Sequence, residues 1–166
     1  KQSKDIDILA RGYRAMQRHL SREWEARASG VPYTDVYQAL IMASIVEKET
    51  GRDQDRPMVA AVFVNRLRLG MLLQTDPTVI YGLGQRFDGN LRKRDLLADT
   101  PYNTYIRTGL PPTPIAMPGI ASLQAALHPA QSQAIYFVAR GDGSSQFSRT
   151  LDEHNQAVNR YQTIAK

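Results

Sequence analysis

The stretch Asp35-Val-Tyr-Gln-Ala-Leu-Ile-Met-Ala-Ser-Ile-Val-Glu-Lys-Glu-Thr50 decides the reading of this chain. It is long enough for about four helical turns. Asp35 with Gln38 three residues on resembles a capping box, and Gly51 is the natural stop. Between its ends it is the most apolar helix of the chain, and Glu47 lies in its last turn. A carboxylate held there loses water, and desolvation favours the neutral acid, so the Glu47 pKa is expected to rise toward neutrality. The negative end of the helix dipole also disfavours a carboxylate, and tolerance of that cost points to a role. A carboxylic acid still protonated near neutral pH can give its proton to a leaving oxygen. Glu47 is therefore the leading candidate for an acid catalyst, with an exposed last-turn glutamate at the helix end as an equal reading of the residue pattern alone.

On either side of this segment the chain reads as further helix. In residues 4–28, Ile6, Leu9, Tyr13, Met16, Leu20 and Trp24 recur at three- and four-residue steps, one apolar stripe that Gly30 and Pro32 end. A third helix is expected over 55–69, with Pro57 in its first turn and Gly70 as its C′ residue. Residues 71–118 are rich in Pro, Gly, Asn, Thr and Tyr. Short helices are expected after Asp76-Pro77 and at 91–96, within ordered functional loops. A helix is expected over 119–127, stopped by His128-Pro129. A strand at 134–139, a turn at Gly141-Asp-Gly143 and a returning strand at 145–149 form a hairpin. Thr150 with Glu153 caps a last helix running to about Ile164. The fold class is α+β, mostly helical, with one small antiparallel sheet.

The 166 residues suffice for one domain with a real core, and 42% hydrophobic and 22% charged content are ordinary for a folded chain. No apolar run approaches the roughly 18 residues that span a bilayer. The absence of cysteine excludes a disulfide framework and leaves the redox compartment unread. A net charge of +5 attracts anionic partners without selecting among them. His19, His128 and His154 lack the spacing of a metal motif, and the last two read as structural. No P-loop, GxGxxG fingerprint or GxSxG elbow is present.

Several polar residues accompany Glu47. Ser44 lies one turn before it on the same side of the helix. Gln74 offers a donor and an acceptor suited to sugar hydroxyls and acetamido groups. Asp76 is a possible second carboxylate, although Asp before Pro at a helix start reads first as an N-cap. Tyr102 and Tyr105 present flat amphipathic faces, and Asn103 an amide. A rigid loop with packed tyrosines is an equal reading of that segment.

Beyond these local signals, a set of motifs occurs in one order. They are Ala43-Ser-Ile-Val-Glu-Lys-Glu49, Asn65-Arg-Leu67, Leu73-Gln-Thr-Asp-Pro-Thr-Val79, Tyr102-Asn-Thr-Tyr105, Gly109-Leu-Pro-Pro112, Pro118-Gly119, His128-Pro129, Tyr136-Phe-Val138 and His154-Asn155. Over residues 35–160 the set closely resembles the catalytic domain of the bacterial endolytic murein transglycosylases (MltG/YceG-like). The resemblance implies a lysozyme-like catalytic domain at 31–166. Residues 1–30 would be a helix leading in from a LysM-like region and a membrane anchor that this chain lacks. It further implies Glu47 as the catalytic glutamate, with Ser44, Gln74, Asp76, Tyr102, Asn103 and Tyr105 around the sugar.

The implied reaction is cleavage of the β-1,4 bond between N-acetylmuramic acid and N-acetylglucosamine without water. Glu47 would act as acid and then as base, leaving a 1,6-anhydro end. One group that serves twice relaxes the two-carboxylate requirement of ordinary glycosidases. No cofactor or metal is needed for this chemistry. The implied partners are peptidoglycan strands and peptidoglycan synthases, at the bacterial inner membrane facing the periplasm. Two rivals stand beside it. One is a hydrolytic muramidase using Glu47 with Asp76 or Glu49. The other is a non-catalytic module binding glycan or nucleic acid, the latter poorly supported without a nucleic-acid motif.

Overall fold

An apolar helix with few polar positions has to be walled on every side, and the fold is arranged around that requirement. The computed structural model describes residues 4–162. Helix α1 spans Asp5–Glu25, α2 Val36–Glu49, α3 Arg56–Arg68, α4 Asp76–Leu83, α5 Lys93–Leu96, α6 Ile120–Leu127 and α7 Leu151–Gln162. Strands β1 (Tyr136–Ala139) and β2 (Ser145–Ser148) form the sheet, so the class is α+β and mostly helical. The expected end of the last helix at Ile164 lies outside the described residues.

Helix α2 is the central element, packed against α1, α3, α4 and α6. Ala39, Met42, Ala43, Ile45 and Val46 are fully buried, and Phe63, Leu73, Leu123 and Leu127 close over them. Its cap follows the sequence signal. The Asp35 carboxylate accepts from Gln38 N at 2.9 Å, while the Gln38 amide oxygen accepts from Thr34 N rather than from Asp35 N. Tyr33, buried beside this start, donates to the carbonyl of Ala126 in α6.

The stripe on α1 is used over its C-terminal half only. Met16, Leu20 and Trp24 pack on the core, whereas Ile6, Leu9 and Tyr13 are 63–67% exposed. The reason is reach. The α2 and α6 helices lie under the last turns of α1, where Glu23 is buried and accepts from Gln124 of α6.

The C-terminal hairpin is antiparallel, pairing Tyr136 with Ser148 and Ala139 with Ser145, and α7 covers it. Gly141 and Gly143 both take positive φ in the turn, as such short connections require. Helix α3 holds this unit in place. The Asn65 amide donates to the carbonyls of Ser132 and Ala134, Arg66 Nε donates to Ile135 O at 2.7 Å, and Phe63 meets Phe137 edge-on. The Asn65-Arg66 pair is thus a clamp between α3 and the segment that enters β1.

The long middle segment is ordered, as its composition implied. It carries α4, a 3-10 turn at Gly84–Arg86 and α5, joined by hydrogen-bonded loops. Gly82 permits the closest approach, since a Cβ there would lie 2.5 Å from Thr100 Oγ1.

Candidate active site

The two glutamates of Glu47-Lys-Glu49 differ by about 200° around α2, because each residue advances the helix by about 100°. They therefore face different neighbours. Glu47 faces α6. Its Oε2 accepts from the Gly119 N–H at 3.0 Å and from Ser122 Oγ at 2.6 Å. Gly119 is the N-cap of α6 and Ser122 its third helical residue, so Glu47 is an anionic cap on the positive end of that helix. These two hydrogen bonds hold the carboxylate below the ordinary glutamate pKa, outweighing partial burial, with Arg56 and Lys48 adding to the effect. The expected rise of the Glu47 pKa is reversed. Donors fixed on the charged form win over desolvation when the group is only half-buried.

Glu49 faces the opposite way, into an open cleft of about 490 Å³. The cleft is walled by Phe63 and Arg66 of α3, Leu73, Gln74, Asp76, Tyr105, Tyr136 and Phe137 of β1, and His154 and Asn155 of α7. Five separate parts of the chain thus meet around one carboxylate. Burial pushes the Glu49 pKa up, and the negative charge of Asp76 adds to the rise. The Thr75 hydroxyl, which donates to Glu49 Oε1, and the Arg66 guanidinium oppose it without cancelling it. The properties expected of Glu47 belong to Glu49.

The loop after α3 brings the polar wall. Arg66 is buried, and besides Ile135 it donates to Leu73 O at 2.8 Å, Leu72 O at 3.3 Å and the Gln74 amide oxygen at 3.4 Å. A guanidinium only donates, so the oxygen of the Gln74 carboxamide is the atom turned to it and the NH2 group is left for the cleft. Gln74 takes φ +52°, a left-handed conformation uncommon outside glycine, and its N–H is anchored on Thr104 O. Asp76 lies across from it, its Oδ1 accepting from Tyr105 OH at 2.5 Å. That bond and burial together push the Tyr105 hydroxyl pKa well up, so the phenol stays a donor. His154 stacks on Tyr136 at 5.1 Å, and partial burial holds its pKa down, favouring the neutral imidazole.

Residues 1–160 match the YceG-like family. The chain belongs to that family. An endolytic murein transglycosylase of Bacillus subtilis (strain 168) is 49% identical over 126 residues, 76% of this chain and 35% of that protein. One of Streptococcus pneumoniae serotype 2 (strain D39 / NCTC 7466) is 32% identical over 128 residues, 74% of this chain and 23% of that protein. The crystal structure of a yceG-like protein of Listeria monocytogenes superimposes with a TM-score of 0.67 at 49% identity, covering 73% of this chain and 38% of that one. The chain spans well under half the length of each of these relatives.

Within this YceG-like domain, the structure sorts the residues that the sequence singled out. Gln74, Asp76 and Tyr105 line the cleft. Ser44 does not: it is fully buried, donating to Ile41 O and accepting from Ile115 N. Asn103 is also fully buried. Its amide donates to Leu96 O and Ala98 O and its oxygen accepts from Tyr105 N, so every bond goes to shaping the loop. Tyr102 packs on Tyr81 and shares a hydrogen bond with Thr113, outside the cleft wall. Asp76 is the first residue of α4 rather than its cap; Thr75 occupies the N-cap position. Sequence reasoning missed Arg66 and Thr75 and read His154 as structural, whereas it lines the cleft. For Arg66 the available signal was a cation at a position where the helical periodicity calls for an apolar residue.

Glu47→Gln is expected to lose roughly 1 kcal/mol of stability at neutral pH and, if the domain acts as its named relatives do, to leave that action intact. The loss should vanish at acid pH, since a carboxylate with a lowered pKa contributes stability above its unfolded value and loses it as pH falls through the folded one. Paired thermal melts across pH, beside an activity assay, check both halves.

Proposed function

We propose that this YceG-like domain cleaves peptidoglycan glycan strands as a lytic transglycosylase, with Glu49 as general acid and then general base. The observation that supports this most is a single carboxyl group buried at the cleft wall and biased toward its neutral form. The murein transglycosylase names of the relatives support the substrate class.

In the proposed reaction the protonated Glu49 gives its proton to the oxygen bridging C1 of N-acetylmuramic acid to N-acetylglucosamine. The C1–O bond breaks, and the leaving sugar departs as an alcohol. The Glu49 carboxylate then takes the proton of the muramoyl C6 hydroxyl as that oxygen bonds to C1, closing a 1,6-anhydro ring. Glu49 ends protonated, ready for the next cycle, and no water is consumed. A group that works in both directions needs its pKa near the working pH, the direction in which burial and Asp76 move it. Gln74 would donate to a sugar oxygen through its free NH2 group, and Tyr105 and Tyr136 would flank the rings. The strand's stem-peptide carboxylates would be drawn by the chain's net positive charge. Action at the cell wall, on the outer side of the bacterial inner membrane, and work beside peptidoglycan synthases belong to the same proposal. Among the described residues no helix is long and apolar enough to cross a membrane.

One observation favours a second reading: Asp76 lines the same cleft as Glu49, which would suit a hydrolase that activates water with the second carboxylate. Mass spectrometry of products from purified peptidoglycan separates the two. Anhydro-muramoyl ends are expected. Reducing muramoyl ends would replace the proposal with hydrolysis, and intact strands would leave glycan binding without cleavage.

A further inference from the structure

Thr75 is the N-cap of α4, and a threonine there ordinarily turns its hydroxyl back to cap its own helix. Here it makes no such bond. Its hydroxyl goes instead to Glu49 Oε1, on another helix. The residue is only 2% exposed, so the hydroxyl has no water to fall back on.

The surroundings fix that direction. Thr78 Oγ1 donates to Thr75 O at 2.7 Å and sits 2.9 Å from Thr104 Oγ1, while Thr75 N donates to Thr104 Oγ1 at 3.1 Å. Each hydroxyl has one hydrogen, and that of Thr78 is committed to Thr75 O. Thr104 must therefore donate to Thr78 and accept from Thr75 N. The result is a closed ring of three buried threonines, 0–2% exposed, from which the Thr75 hydroxyl is the one donor directed outward.

We propose that Thr75 is a positioning residue for the acid: by donating to Oε1 it makes that oxygen the acceptor, so the transferable proton resides on Oε2 and is presented to the substrate. A carboxylic acid carries one proton, and an oxygen already receiving a hydrogen bond is the poorer site for it. The buried ring makes this choice before substrate arrives, which is the preorganisation that proton transfer requires. The inference rests on Glu49 being the acid.

The test uses Thr75→Val, which keeps the shape and removes the hydroxyl, and Thr75→Ser, which keeps the hydroxyl. Other charged or titratable groups around Glu49 are Asp76, Arg66, Tyr105, Tyr136 and His154, all unchanged in both variants. Thr75→Val is expected to lower kcat about 10- to 100-fold with KM little changed. It should also shift the pH profile to higher pH, because the bond removed is one that lowers the Glu49 pKa. Thr75→Ser should restore both. A 13C titration of the Glu49 side-chain carboxyl in the full chain reads the same shift without substrate. Its midpoint should rise in Thr75→Val and return in Thr75→Ser. An unmoved midpoint in Thr75→Val, or a Thr75→Ser variant as impaired as Thr75→Val, overturns the proposal. Full activity in Glu49→Gln would instead overturn the assignment of the acid, a separate result from either of these.

Discussion

Glu49→Gln is expected to reduce strand cleavage about 10²- to 10⁴-fold, the contribution of a positioned general acid–base, while the domain melts at the same or a higher temperature. Both halves come from one fact. The carboxyl is buried with a neighbouring negative charge, so its ionised form is disfavoured in the fold. A group whose folded pKa is raised contributes stability below its unfolded pKa, and that contribution is lost as pH rises through the folded pKa. Glutamine has the same shape, accepts from Thr75 through its amide oxygen, and does not ionise. Its advantage in melting temperature should be absent at acid pH and grow toward neutrality. The combination of a dead enzyme with a firmer fold is the signature of a group kept for chemistry. A Glu49→Gln variant that still yields anhydro ends would remove Glu49 from the mechanism and reopen the case for Glu47. A variant that is inactive and also less stable at neutral pH would mean that the charged form is held by partners stronger than Arg66.

Arg66→Met should have the largest effect on stability, about 3–5 kcal/mol, lowering the melting midpoint by roughly 10 °C. The side chain is 8% exposed and donates to Ile135 O, Leu73 O and Leu72 O. Methionine fills the volume of the stem but donates nothing. The carbonyls cannot be removed with it, so each buried one left without a donor costs about 1–3 kcal/mol. Exchanging a buried ionic pair for apolar groups is often harmless because both partners go; here only one does. Arg66→Lys should recover a minority of the loss, since one ammonium cannot serve acceptors lying on two segments. Chemical denaturation of the three proteins measures this. An Arg66→Met domain within 1 kcal/mol of the parent, on the order of an ordinary surface change, would show that the clamp is not what holds the hairpin against α3. The site should fail alongside the fold, because the same guanidinium orients the Gln74 amide and bounds Glu49 on one side.

The helices were legible because their signals are local. Asp35 and Gln38 start α2, Pro57 lies in the first turn of α3, the glycines of 141–143 turn the hairpin, and Thr150 with Glu153 opens α7 through mutual hydrogen bonds. The family was legible too, through the order of motifs along the chain. Some of those motifs mean something different from what they suggested. Asn103 and Ser44 look like ligand contacts because they are polar among apolar neighbours. Both spend all of their observed bonds on backbone groups, within their own segment and on neighbouring ones, a use that only the folded chain reveals.

The amino-acid sequence by itself determined that α2 carries two glutamates on opposite faces, since helical pitch fixes their angle. It did not determine which face looks into a cleft. An amphipathic helix announces its buried side, but α2 is apolar nearly all round, with positions from Ala39 to Val46 buried on several faces. Nothing local distinguishes the direction of Glu47 from that of Glu49. Tertiary structure decided it by what each face meets. Toward α6, a helix N-terminus supplies an N–H and a hydroxyl that hold a carboxylate charged. Toward α3, α4 and the hairpin, residues more than a hundred positions away in the chain close a cleft in which burial pushes the pKa of a carboxyl up. The difference between the two carboxyl groups, on which the proposed choice of acid rests, is a property of those neighbours, and they are distant in sequence.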